Sequence, residues 1–131
     1  LNNWNTGEVL NMKEMFSGAS VFNQNINSWN TSFVRTMEEM FKDARAYNQT
    51  MDSWNVASVT TMKGTFQGAT AFNGTMDNWN VRRVSTMENM FFGATSFNQT
   101  LNSWRVNGVT NMNNMFRNAT AFNQSLDRWD L

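Results

Sequence analysis

An α/β repeat solenoid is the fold class that the sequence predicts, and three observations lead to it. Tryptophan recurs every 25 residues without insertion, and neighbouring columns of Val, Met, Phe, Ala and Asn keep the same step. Each period also carries a helix start and stop followed by residues that favour strands. A fixed period of roughly 20–50 residues is typical of a solenoid. We therefore expect residues 1–131 to form one array of five 25-residue repeats, a piece of a longer array without caps.

The first predicted element of each coil is a short helix of α or 3-10 type. Good N-cap residues share one column: Asn11, Thr36, Thr61, Thr86 and Asn111. Glu14 and Glu39 stand three residues later and complete a capping box. Residues that tolerate positive φ share a later column: Gly18, Asp43, Gly68, Gly93 and Asn118. These two columns predict a helix of about two turns that ends at a left-handed residue.

The second predicted element is a short strand in the part of the coil that contains FNQTL, at Phe97–Leu101. Aromatic, aliphatic and threonine side chains there favour extended backbone. A second short strand is expected around the Trp–x–Val sequence at Trp104 and Val106. Strands of successive coils would pair in parallel, with strands on one side of the array and helices on the other.

A buried core and an asparagine ladder follow from the columns. The predicted core comprises the six tryptophans Trp4, Trp29, Trp54, Trp79, Trp104 and Trp129, with Met37, Met62, Met87, Phe41, Phe66 and Phe91. The predicted ladder comprises Asn23, Asn48, Asn73, Asn98 and Asn123, whose side chains would satisfy backbone groups of adjacent coils. A tryptophan platform that stacks on sugars or bases is the alternative. The strict spacing beside Val and Leu favours the core.

Composition argues against most kinds of chemistry. The chain has no His and no Cys, so it lacks the commonest general base and the commonest metal ligands. It carries 10 basic and 10 acidic residues, and this neutral balance gives no electrostatic reason to bind nucleic acid. No catalytic pair stands out, since Glu38 and Glu39 fit an exposed helix face. We expect no enzyme, no cofactor and no membrane span in this segment.

Calcium is the one metal for which the columns offer oxygen ligands. Asp52, Asp77 and Asp127 share a column with Asn27 and Asn102. Turns that use an Asx side chain need the same residue types, and the array offers no Glu suited to bidentate binding. We interpret this column as structural.

The sequence VTNMNNMFRNATAFNQSLDRW resembles the 25-residue repeats of mycoplasma surface lipoproteins, which are grouped with BspA-like leucine-rich-repeat surface proteins. The resemblance covers the whole chain. It implies a leucine-rich-repeat-like solenoid displayed outside a cell, in a group linked with adhesion and protein binding. The acidic residue that usually follows FNQ in those repeats is Thr or Ser here, as at Thr100 and Ser125.

That departure creates acceptor sequons for N-glycans. They lie at Asn30, Asn48, Asn73, Asn98, Asn118 and Asn123. Glycosylation would require a eukaryotic secretory setting, and Asn30 and Asn118 are expected to be the more exposed. A composition rich in Asn and Thr explains the same pattern without glycans.

These observations favour a non-enzymatic extracellular or cell-surface repeat scaffold with a structural or adhesive role. Its uncapped ends suggest end-to-end assembly into a filament, or further coils in a longer chain. The alternative is a recognition module that binds a host protein or glycan on its strand face. Ice or mineral binding by threonine rows is disfavoured, because only the column Thr50–Thr75–Thr100–Ser125 is regular.

Overall fold

The computed structural model describes Leu1 and residues 3–130. Within these residues there is no helix and no strand. Their only β pairing consists of four isolated parallel bridges: Asn11–Thr36, Thr36–Thr61, Thr61–Thr86 and Thr86–Asn111. The predicted α/β solenoid, with a leucine-rich-repeat-like strand and helix in every coil, is therefore wrong. What the chain forms is a stack of irregular coils in which the same column of each coil lies beside that of the next.

A run of tight turns replaces the predicted helix. The Met40 N–H donates to the Met37 carbonyl at 3.1 Å, and the Lys42 N–H donates to the Glu39 carbonyl at 3.2 Å. Both bonds span three residues, whereas an α-helix bonds each N–H to the carbonyl four residues back. The spacing i, i+3, i+4 of Met37, Met40 and Phe41 is that of one helical face, yet here these side chains are buried by a run of turns.

Left-handed residues in the middle of this segment explain why no helix forms. Glu39 has φ 53° and Asp43 has φ 58°, and a residue of positive φ lies at both positions in every coil. The residues of the predicted stop column do have positive φ but end no helix, and the capping-box glutamates Glu14 and Glu39 are themselves left-handed. A right-handed helix cannot pass through such a residue. The capping-box prediction is therefore wrong.

The N–H groups that a helix would use internally bond to the next coil instead. Glu39 donates to the Lys63 carbonyl at 2.8 Å, and Phe41 donates to the Thr65 carbonyl at 2.8 Å. Four such donors recur in each of the first four coils, at every second residue between positions 12 and 18 of the first coil and their equivalents. These N–H groups all face the same neighbouring coil, which gives this segment of the stack a direction.

The predicted strands are replaced by side-chain contacts and turns. In the predicted strand Phe97–Leu101, the Asn98 N–H donates to the side-chain Oδ1 of Asn73 at 2.8 Å, not to a backbone carbonyl. Around Trp104 the chain makes another turn, in which the Trp104 N–H donates to the Leu101 carbonyl at 3.0 Å. Without a continuous backbone ladder, neither segment is a strand, so the predicted strand face does not exist.

Stacked aromatic rings fill the inside of the coils. Phe66 lies 5.6 Å from Phe91 of the next coil and 4.1 Å from Phe72 of its own coil, measured between ring centroids. Both pairs are nearly coplanar, at 5° and 4°. Such pairs contribute roughly 0.5–1.5 kcal/mol beyond the area that they bury. The rings therefore form continuous columns along the stack, and the hydrophobic core extends from coil to coil in that one direction.

One residue of these aromatic columns carries a buried polar group. Tyr47 is the only tyrosine and stands where the other coils have Phe. Its side chain is 0% exposed, and its hydroxyl has no hydrogen-bond partner among the described residues. Burial raises the pKa of the Tyr47 phenol above its ordinary value, because the ionised form cannot be solvated there.

We predict that Gly93→Val lowers the free energy of unfolding by about 1–3 kcal/mol, whereas Gly93→Asn costs less than about 1 kcal/mol. Gly93 has φ 72°, and a Cβ placed there would meet only backbone atoms of Gly68 at 3.9 Å. The site has room, so the difference isolates backbone strain. Urea unfolding followed by circular dichroism measures it, and equal effects of Val and Asn would contradict the left-handed assignment.

We predict that Tyr47→Phe raises the free energy of unfolding by about 1 kcal/mol, because it removes a buried hydroxyl without a partner. The pH dependence has a definite sign. The folded-state pKa lies above the unfolded value of about 10, so the unfolded chain releases this proton first and the wild type loses stability above about pH 10. Thermal melts of both proteins between neutral and alkaline pH test this, and a less stable Phe variant would contradict it.

Candidate functional site

The tryptophan column lies inside the stack. Trp29, Trp54, Trp79 and Trp104 are between 1% and 4% exposed, Trp129 is half-buried, and Trp4 is 53% exposed. Each buried indole N–H donates to a carbonyl of the preceding coil, as from Trp79 to Met51 at 2.8 Å. These rings have no free face on which a sugar or base could stack. The platform alternative therefore has no exposed surface except at Trp4.

The predicted methionine and phenylalanine positions lie in the same interior. Met37, Met62, Met87, Phe41, Phe66 and Phe91 are all 0% exposed. Their column partners in the outermost coils, such as Phe16 and Phe116, are only partly buried because a coil covers them on one side alone. Burial in this molecule depends on having a coil on both sides.

The asparagine column forms a ladder on the outside of the stack. The Oδ1 of Asn48 accepts the Asn73 N–H at 2.8 Å, and the Oδ1 of Asn98 accepts the Asn123 N–H at 2.9 Å. The Oδ1 of Asn23 accepts the Asn48 N–H in the same way, at 2.8 Å. Asn48, Asn73 and Asn123 are exposed, so the ladder pairs with backbone groups of adjacent coils at the surface of the stack.

The candidate glycosylation sites share this surface. Asn30 and Asn118 are exposed, and Asn98 is half-buried. Asn30 uses its Oδ1 to accept from the Ser32 N–H at 3.1 Å and from the Ser32 hydroxyl at 2.7 Å. The side-chain oxygens of Asn30 and of the ladder asparagines before Asn123 are therefore engaged within the fold.

The acidic column considered for calcium is also used between coils. Asp127 accepts from the Asn102 amide at 2.9 Å, and Asp77 accepts the Ser103 N–H at 3.1 Å. Side-chain hydrogen bonds with Asn102 and, second, with Ser125 lower the pKa of the Asp127 carboxyl. Among the described residues, no three acidic side chains come together as metal ligands would. The column joins adjacent coils.

Exposed charges form ion pairs along one side of the first four coils. Lys13 lies 3.1 Å from Glu38 and Lys63 lies 3.6 Å from Glu88, each pair linking one coil to the next. The hydrogen bond from Lys13 to Glu38, followed by the attraction of the two charges, raises the pKa of Lys13. Exposed ion pairs of this kind contribute little to the free energy of unfolding. They show which side chains of successive coils are adjacent, but they do little to hold the coils together.

A basic groove is the feature that the repeat columns did not reveal. Arg82, Arg105 and Arg128 are exposed and line a series of depressions across the last coils. Arg105 lines all three of these depressions, and Asp77 and Asp130 each line one. The arginines are 23 residues apart, so they form a diagonal that no 25-residue column contains. A search for a second period would have found them.

A comparison with protein families identifies the family to which the chain belongs. Two overlapping segments, residues 1–76 and 48–131, match the family described as "Mycoplasma protein of unknown function, DUF285". Together they span the chain, which therefore belongs to that family. The match supports the resemblance to mycoplasma repeats and does not extend to a leucine-rich-repeat type.

Neither the curated proteins nor the solved structures contain a match to the chain. In the part of the chain that the structure describes, no helix has the length and apolar character needed to cross a bilayer.

We predict that Trp79→Ala lowers the free energy of unfolding by about 3–5 kcal/mol, because it removes a large buried side chain and leaves a cavity between two coils. Trp4→Ala is the matched control: the same substitution at a ring that is 53% exposed should cost much less. Denaturant unfolding of both variants measures the difference. Equal costs would contradict the interior placement of the column.

Proposed function

We propose that this chain is a non-enzymatic repeat scaffold that acts outside the cell, in a structural or adhesive role related to that of BspA-like surface proteins. The observation that carries the proposal is the ladder between coils. It uses backbone groups, asparagine side chains and indole N–H groups to join one coil to the next, as the Trp104 N–H does to the Met76 carbonyl at 3.0 Å. An enzyme would gather polar groups in one pocket, whereas here they are distributed along the whole stack of coils.

Membership of a mycoplasma family supports the extracellular part of this proposal through the resemblance to surface lipoproteins. An architecture of stacked coils also suits display, because each added coil extends the exposed surface without rebuilding the core. The rows of Asn, Thr and Ser on the outside offer the same contacts at every step. A repeated surface of this kind favours multivalent attachment over binding of a single small molecule.

The direction of the stack supports extension by further coils, whether of the same polypeptide or of a second copy. The N–H groups of Met112, Asn114, Phe116 and Asn118 lie on the side of the fifth coil where a further coil would accept them, and they make no backbone bond among the described residues. In the first coil, the carbonyls at the positions that accept such bonds in later coils likewise accept no backbone hydrogen bond from a described residue. One side thus offers donors and the other offers acceptors in the same spacing.

Register imposes a condition on end-to-end assembly of two copies. Trp4 and Trp129 share a column, so a second copy in exact register would place its Trp4 where Trp129 of the first copy lies. One of the two segments that contain these residues must leave its place before the ladder can continue without a break. The indole N–H of Trp129 is bonded to the Leu101 carbonyl at 2.9 Å, whereas the ring of Trp4 is more exposed.

We predict that a membrane-impermeant amine reagent labels this chain on intact cells that produce it. Lys13 and Lys63 offer side chains that are 47% and 46% exposed, so the folded chain presents reactive amines. Mass spectrometry of the labelled peptides measures modification at each lysine. A cytoplasmic protein of the same cells is the control, and labelling of this chain only after lysis would contradict an extracellular scaffold.

A further inference from the structure

We infer that the diagonal of Arg82, Arg105 and Arg128 is a binding site for an anionic polysaccharide. The three arginines lie on successive coils and line connected depressions on one side of the stack. Among the described residues, the ion pairs join lysines to glutamates and none involves these three guanidinium groups. A guanidinium binds planar anions such as carboxylate or sulfate through paired N–H donors. A row of them suits an extended ligand with repeated anionic groups.

The residues between the arginines indicate a sugar chain. Asn78, Asn80, Asn107 and Ser103 line the same depressions, and amides and hydroxyls of this kind both donate to and accept from sugar hydroxyls. Asp130 lines the depression beside Arg128 and adds a carboxylate that accepts from hydroxyl groups. The groove thus combines side chains that bind anions with side chains that bind hydroxyl groups, and an anionic polysaccharide carries both anions and hydroxyl groups.

The same groove is poorly suited to a nucleic acid. Binding of single strands uses exposed aromatic rings on which bases stack. The tryptophans in the floor of this groove, Trp79 and Trp104, are 3% and 1% exposed. Asp77 and Asp130 would also repel the phosphates of a continuous nucleic-acid backbone. The balance of charges favours a ligand whose anionic groups are spaced and separated by hydroxyls.

The location of the arginines also distinguishes them from residues that the fold requires. The column of Arg82 otherwise holds Gly7, Ser32, Ala57 and Asn107, that of Arg105 holds Asn5, Asn30, Asn55, Asn80 and Asp130, and that of Arg128 holds Asn3, Ser28, Ser53, Asn78 and Ser103. Asn80 accepts the Arg82 N–H on its Oδ1 at 3.1 Å, which is the structural use of that column. Arg105 cannot make such a bond, so it replaces a structural residue with a charged one in the groove.

Those column residues supply variants that should fold. The triple variant Arg82→Ser, Arg105→Asn and Arg128→Ser uses only side chains that the array already has at these columns. Arg45→Gln is the matched control for charge, because Arg45 is exposed and lies outside the groove. The Arg45 backbone carbonyl accepts a hydrogen bond from the Thr70 hydroxyl at 3.5 Å, and the substitution retains that carbonyl. Thermal melting verifies that all variants are folded.

The experiment measures binding of the full chain to immobilised dextran sulfate, polygalacturonate and neutral dextran. We expect binding to at least one anionic polymer, with none to neutral dextran and with weakening as salt increases. Dextran sulfate and polygalacturonate distinguish a sulfate from a carboxylate as the anion recognised. Arg105→Asn alone should weaken binding about fivefold and the triple variant more than about tenfold. Arg45→Gln should stay within about twofold of the wild type.

Three results would overturn the inference. They are no binding to either anionic polymer, an equal loss with Arg45→Gln, and equally tight binding of single-stranded DNA of matched charge. The inference extends the adhesive role proposed above by naming a ligand class. Lysine labelling on intact cells does not depend on the groove. A chain that is labelled there but binds neither polymer would overturn this site alone and leave the scaffold proposal standing.

Discussion

The whole structure depends on hydrogen bonds that run between coils instead of along the chain. At every second residue of the turn segment a backbone N–H donates to a carbonyl of the next coil, as from Phe66 to Met90 at 2.9 Å. Helices and strands normally satisfy these groups, and a buried group left unpaired is costly. Here the neighbouring coil satisfies them. No coil can therefore be stable alone, and the column positions must be kept exactly in register.

Left-handed residues are the local device that makes this ladder work. In each coil they occupy two positions four residues apart, such as Glu39 and Asp43, within the segment whose N–H groups face the next coil. Glycine meets the requirement without strain at Gly64, whereas Glu39 and Asn89 meet it at some cost. The ladder compensates for that cost, because the N–H of Glu39 is bonded to the Lys63 carbonyl at 2.8 Å. The strained backbone of Glu39 and its hydrogen bond to the next coil therefore depend on each other.

The same arrangement separates stability from surface chemistry. Aromatic columns occupy the interior, so an exposed side chain that makes no bond to the next coil can change from coil to coil without disturbing the stack. The column of Arg105 shows this, since it holds asparagine at positions 5, 30, 55 and 80 and aspartate at 130. A scaffold with these properties can acquire a binding groove by a few surface substitutions. That physical independence links the proposed scaffold role to the proposed polysaccharide site.

The sequence by itself determined the period, the columns that are buried and the residues that adopt positive φ at positions such as Gly68 and Gly93. These features follow from residue type and strict spacing, which need no knowledge of neighbours in space. Only the tertiary structure decided that turns replace the helix and that side chains replace strand pairing. Met37, Met40 and Phe41 have the spacing of a helical face in either case, and the choice depends on the carbonyls that the next coil supplies. The arginine groove also needed the structure, because a diagonal becomes a surface feature only when the coils are stacked.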